Sequence, residues 1–222
     1  MRFFRGISVP SDNATAIIED IRRDGITNTW RWKTKHHRPD PAIIVKHDLT
    51  RADTRPHGSG VAAACACGTI EGASYYAWQH NKNADDNTPI IIEFDNDIEG
   101  VAIDGKDFLY TILGSGDPDL SRNTIRAVFG EVGLEYAERA WANDDPYARS
   151  AIGDLMIHNP KVVSAHYDNT LTLGGRSNTQ FKNAFTISLP ISTSQIIDVQ
   201  TPNAPLPLPP VDVHLKNFLL NH

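Results

Sequence analysis

Apolar residues alternate from Arg2 to Val9 and stop at Pro10, which predicts a strand. Ser11 or Asp12 is then placed to cap a helix with Ile17, Ile18 and Ile21 on one face, and Gly25 to end it. Polar residues and prolines dominate from 28 to 60, with one candidate strand at Ala42–Lys46. The small apolar run Val61–Cys67 ends at Gly68. It feeds a helical pattern, TIEGASYYAWQH, with Ala73, Tyr76, Ala77 and His80 on one stripe. Pro89–Phe94 reads as a buried strand, and Gly100–Ile103 as a shorter one. Two helices are predicted between Ser121 and His158, broken by the turn NDDP at 143–146. Strands return at Lys161–Tyr167, Phe185–Leu189 and Gln195–Val199, with the loop GGRSN at 174–178 before the second. After Thr201 the run PNAPLPLPPVDV is expected to be extended, closing on a short segment at Val213–Leu220.

The pattern is α+β, read as one domain over 1–200 with a proline-rich tail over 201–222. A chain of 222 residues, 40 % hydrophobic and 22 % charged, has the composition of a globular protein with one substantial core. A net charge of −6 argues against a general nucleic-acid coat protein. A local patch at Arg31–Arg38, beside Trp30 and Trp32, has the chemistry to clamp phosphates or stack on bases, or to form a solvated loop. The opening MRFFRGISVP lacks an apolar core and a cleavage site, and no run is long enough to span a bilayer. Cys65 and Cys67 lie one residue apart, too close for an easy disulfide on a strand. A reduced, cytoplasmic setting without membrane insertion is therefore expected.

Arg5 is the first candidate for chemistry. An arginine within an apolar strand needs an anion or a carboxylate, since burying its charge alone costs several kcal/mol. Its planar fork suits a diphosphate, and Gly6 allows close approach to the backbone. Pairing to a nearby Asp, or exposure to water, is the competing explanation.

Arg5-Gly6 with Ser8, the block AACACGTIEGASYYA, the pair PIIIEFDNDIEGVAI and the closing block FKNAFTISLPISTSQIIDV occur in an order that resembles the ADP-ribosyltransferase superfamily. The resemblance covers about 2–199, with 121–158 similar to a helical insertion. It implies a split β-sandwich with flanking helices, NAD as substrate, and transfer of ADP-ribose to an acceptor macromolecule, protein or nucleic acid. It implies that Arg5 holds phosphate or ribose, that Gly6 holds the carboxamide, that Tyr75 or Tyr76 packs on the nicotinamide ring, and that Ser8 and Cys67 also belong to the cofactor-binding site. The family's serine motif falls at Ala66 and Cys67, a departure that leaves the support of Arg5 open. Its catalytic glutamate falls on Ala184, or on Asn183, and alanine offers no acceptor. Either an active parent was inactivated here, or the chain is a module that binds NAD or a partner without turnover.

The resemblance further implies that the loop ending at Asn183 reads the acceptor, through Arg176, Gln180 and Lys182. Lys182 stands where arginine-modifying members carry Glu, so an arginine acceptor is disfavoured. Toxin function within a toxin–antitoxin or defence system, with a neutralising antitoxin protein, is part of the same expectation. Two rivals are weaker. His36, His37, His57, Cys65 and Cys67 match no zinc-site spacing. Glu131, Glu135 and Glu138 share a helix face of the kind that is normally solvated.

Overall fold

The computed structural model describes residues 1–27, 34–35, 62–80, 86–105, 108–176 and 179–219. The expected strand at Ala42–Lys46, the side chains of the basic patch, and His36, His37 and His57 lie outside them. The chain divides into two compact units, Met1–Lys35 with Val61–Val101 and Asn183–Pro209, and His36–Gly60 with Ala102–Lys182 and Pro210–His222. The sequence reading had a single domain and a tail.

The first unit is built on an antiparallel sheet. Strand β1 (Arg2–Pro10) is followed by helix α1 (Ser11–Asp24), β2 (Thr34–Lys35), β3 (Ala62–Cys67), helix α2 (Ile70–Tyr75) with a π-helical turn (Tyr76–His80), and β4 (Asn87–Asp95). The short β5 (Val101–Ile103) crosses the unit boundary. Strands β8 (Ala184–Ser188) and β9 (Ile196–Gln200) complete the order β8-β3-β1-β4-β9, with β2 also on β3. Strand β1 pairs with β4 along its whole length, from Arg2↔Asp95 to Pro10↔Asn87. Alternation gives one face to Phe3, Ile7, Phe94, Ile92, Ile90, Phe185 and Ile187, all buried. Phe3 stacks on Phe94 at 6.0 Å and meets Phe185 edge-on at 5.4 Å. Arg2 braces the sheet end by ion pairs to Glu93 and Asp95.

Helix α1 begins without a side-chain cap. Ser11 instead bonds Asp86 and Thr88. It ends at Gly25, whose φ of 71° is the left-handed conformation that glycine tolerates. Ala14 and Ile21 face inward, and Arg22 donates to the Val199 carbonyl at 2.8 Å.

The second unit carries helices α3 (Leu109–Ser115), α4 (Pro118–Trp141), α5 (Pro146–Ile157) and α6 (Pro160–Tyr167), and a small sheet of β10 (Val213–His214), β6 (Leu173–Gly174) and β7 (Gln180–Phe181). The helical region is wider than the expected 121–158. The expected strand at Lys161–Tyr167 is helix α6. Asn159 accepts from Lys161 N at 2.9 Å and Pro160 occupies the first turn, so the cap outweighs the β-branched pair Val162–Val163. Asp117-Pro118 and Asp145-Pro146 start α4 and α5 in the same way. Helix α4 is broken at Gly130, with φ 74° and ψ 178°. The face of Glu131, Glu135 and Glu138 is occupied by surface ion pairs, Arg126 to Glu131 at 2.8 Å and Arg122 to Glu138 at 2.5 Å. Within 210–219, Leu215 and Phe218 are buried, and Asp117 N donates to the Phe218 carbonyl at 2.7 Å.

A polar pair lies inside this unit. Tyr110 Oη donates to Asp154 at 2.5 Å, and burial, reinforced by the charges of Asp154 and Asp104, raises the phenol well above its ordinary value. A raised folded-state value favours the protonated form in the fold. Its stabilisation is complete below the unfolded value of about 10 and is lost as pH rises toward the folded value. Tyr110→Phe is expected to lower unfolding free energy by about 1–3 kcal/mol at neutral pH, because Asp154 loses a donor. It should also flatten the decline above pH 10. Chemical denaturation across pH measures both, and an unchanged midpoint would refute the assignment.

Candidate functional site

The candidate site is assembled where β1 leaves β3. Against the nine-residue ladder with β4, β1 and β3 share the single register pair Phe4↔Cys67 and then part. Arg5 sits at the parting. It is 6 % exposed, and its Nη1 donates to the backbone carbonyl of Cys65. Burial lowers its affinity for the proton, while the neighbouring Cys65 and Cys67 work the other way. The guanidinium therefore caps a carbonyl at the edge of β3 just where strand pairing stops.

Beyond β3, Cys67 lies opposite Ala184 and Cys65 opposite Thr186. Phe4, Cys67 and Ala184 thus form one row across three strands, with Arg5 one residue away along β1. Side-chain alternation puts Ala184, Thr186 and Ser188 on the half-buried row of β8, and Phe185 and Ile187 on the buried row. By the same alternation Arg5 shares the face of Phe3 and Ile7, opposite to that of Phe4 and Ala184. The ladder brings Cys67 and Ala184 together directly, and Arg5 to the seam beside them.

Asn183, the other position considered for the acid, has a different task. It is 2 % exposed, its Oδ1 accepts from Gly68 N at 3.0 Å, and its carbonyl faces the same N–H. It clasps the start of β8 to the turn between β3 and α2. Thr69 caps α2 by accepting from Gly72 N at 3.4 Å.

Gly6 is explained by the helix. A β-carbon there would lie 1.8 Å from the Ala73 carbonyl oxygen and 2.8 Å from Ala77 N. The space above its Cα is filled by the backbone of α2. Around this contact Ala73, Ala77 and Ile91 are buried, flanked by Phe4, Ile70 and Trp78. Tyr75 and Tyr76 are half-buried, with rings edge to face at 5.5 Å. Ser8 is 7 % exposed, and its Oγ has no hydrogen-bond partner among the described residues. Arg176, Gln180 and Lys182 belong to the second unit, Arg176 exposed and the other two half-buried.

Sequence reading overlooked Asn183 and Ser74 as structural polar groups. An Asn directly before an alternating strand, and a Ser within a Gly-Ala helix, are the signals that mark them. No group of three or more His, Cys, Asp or Glu able to hold a metal occurs among the described residues. No helix among them is long and apolar enough to cross a membrane.

These observations define a mixed α+β protein with an antiparallel sheet and a polar seam between two of its strands. No family model, curated protein or solved structure matches the chain.

The contact at Gly6 gives a direct expectation. Gly6→Ala forces α2 away from β1 and should cost about 1–3 kcal/mol, the range for overpacking, with helix 70–80 losing hydrogen-exchange protection first. Ser8→Ala, which removes only an unbonded hydroxyl, should leave stability unchanged or higher. A Gly6→Ala protein as stable as the parent, with normal protection over 70–80, would contradict the close contact.

Proposed function

We propose that this chain has an ADP-ribosyltransferase-like NAD site in its first unit, in a form that lacks the catalytic carboxylate. The supporting observation is the row Phe4, Cys67, Ala184 on the face of the sheet that the helix bearing Tyr75 and Tyr76 covers, at a point where β1 and β3 part. A buried Ser8 hydroxyl without a partner among the described residues suits a ribose or phosphate oxygen.

In this reading Ser8 bonds a ribose or phosphate oxygen and Tyr75 or Tyr76 packs against the nicotinamide ring, while Arg5, on the other face, braces the seam by its bond to Cys65 O. Cys67 lines the floor beside 184. The bond between nicotinamide and ribose breaks with its electron pair leaving on nicotinamide, and the acceptor's nucleophile bonds to the ribosyl carbon. A carboxylate at 184 would steady the developing cation, and Ala184 cannot. Arg176, Gln180 and Lys182 are assigned to the acceptor macromolecule, protein or nucleic acid. A toxin held by an antitoxin in the cytoplasm is the corresponding biology.

The second reading is a module that binds NAD or a protein partner without turnover, and Ala184 itself favours it. Calorimetry with NAD, and NAD consumption by the chain, Ala184→Glu and Ala184→Gln, separate the two. The chain and Ala184→Gln are expected to bind NAD with little turnover. Ala184→Glu should raise turnover by about 10²–10³-fold, the size of one transition-state charge contact. If Ala184→Glu binds NAD and consumes none, the binding-module reading replaces the enzyme.

A further inference from the structure

The proline-dense segment after β9 is tied to α2 by a backbone bond. Leu206 N–H donates to Ser74 Oγ at 2.8 Å across 132 residues of sequence. Ser74 is fully buried, whereas 203–207 are exposed. Prolines at 202, 205, 207, 209 and 210 remove amide donors and fix φ, so the segment is stiff before it docks. It therefore loses little chain entropy in holding one bond.

Helix α2 needs such support. It has six residues, one of them Gly72, and passes into a five-residue π-helical turn. Isolated helices below roughly 12 residues are marginal in water. From beneath, the Gly6 contact sets how closely α2 approaches β1. Packing of Ala73 and Ala77 on a flat strand resists sliding and rotation only weakly, since neither side chain projects far. A directional bond on another side of the helix fixes what packing leaves free.

We propose that residues 202–207 form a strap whose bond from Leu206 to Ser74 sets the position of α2, and with it the Tyr75–Tyr76 pair. Ser74 is then a positioning residue for the ring-binding end of the site, and this role rests on the NAD reading above. The strap also gives the segment a purpose beyond linking β9 to β10. Its exposed outer side carries Leu206, so the bond is the point at which tension on the segment reaches α2.

The experiment compares the full chain with Ser74→Ala, which removes the acceptor, Leu206→Pro, which removes the donor and suits the extended backbone, and Ser74→Thr, which keeps a hydroxyl. Hydrogen exchange over 70–80 should be about five- to tenfold faster in Ser74→Ala and Leu206→Pro, the loss of one hydrogen bond. The ring resonances of Tyr75 and Tyr76 should shift in both. NAD should bind these two variants about three- to tenfold more weakly, and Ser74→Thr should restore all three readouts. In the Ala184→Glu background the change should fall on KM more than on kcat. Unchanged exchange and ring resonances in both variants would overturn the strap. Faster exchange with unaltered NAD affinity would overturn the positioning role. If the unsubstituted chain binds no NAD, the functional reading fails by itself, and exchange and ring resonances still decide whether the strap sets α2.

Discussion

Between Gly6 and the carbonyl of Ala73 there is room for a hydrogen atom and for nothing larger, since a β-carbon would stand 1.8 Å from that oxygen. The rest of the first unit depends on this approach. Strand β1 is the middle of the sheet, fully laddered to β4 on one side and briefly joined to β3 on the other. A short helix can lie against such a strand only if both surfaces are smooth. Gly6 on the strand and Ala73 and Ala77 on the helix supply that smoothness. The cost is a contact of small area, which at ~25 cal/mol per Å² buries less apolar surface than larger side chains would. Polar ties make up the difference: Thr69 at the helix start, Asn183 at the turn before it, and Ser74 along its flank.

The parting of β1 and β3 leaves a second problem, since carbonyls at a strand edge lose their partners. Arg5 answers it by donating to Cys65 O. Burial weakens the hold of the guanidinium on its proton, yet arginine stays protonated at any ordinary pH because its free value lies so high. The sheet thus carries a fixed positive charge at its seam.

Much of the first unit was legible because its strands alternate and its helices have clear stops. Strands β1, β4, β8 and β9 were legible from their apolar, β-branched runs and β3 from a run of small apolar residues, and Gly25 ends α1 as its position suggests. Lys161–Tyr167 misled because Val162-Val163 weighs toward strand, when Asn159-Pro160 had already set a helix start. Leu109–Ser115 went unread because a seven-residue helix shows barely two turns of periodicity. Of the candidate site, the residue types were legible and their faces were not. Which side of the sheet Arg5 takes depends on register with β3, a long-range pairing that no local pattern encodes. The reason for Gly6 was hidden likewise, because a glycine that admits a ligand and one that admits a helix read identically in sequence.

Strand β8 sorts its residues by parity. Phe185 and Ile187 hold the interior, Ala184, Thr186 and Ser188 form the half-buried row, and the side chain of Asn183 fixes the phase between the two. A slip of a single residue would carry Phe185 outward and Thr186 into the core, so the clasp at Gly68 acts as a frame marker for everything after it. Heritable change can then move along the two rows separately. The outer row can exchange its side chains at 184, 186 and 188 while the inner row preserves the architecture, so substitution there does not require the protein to refold around it.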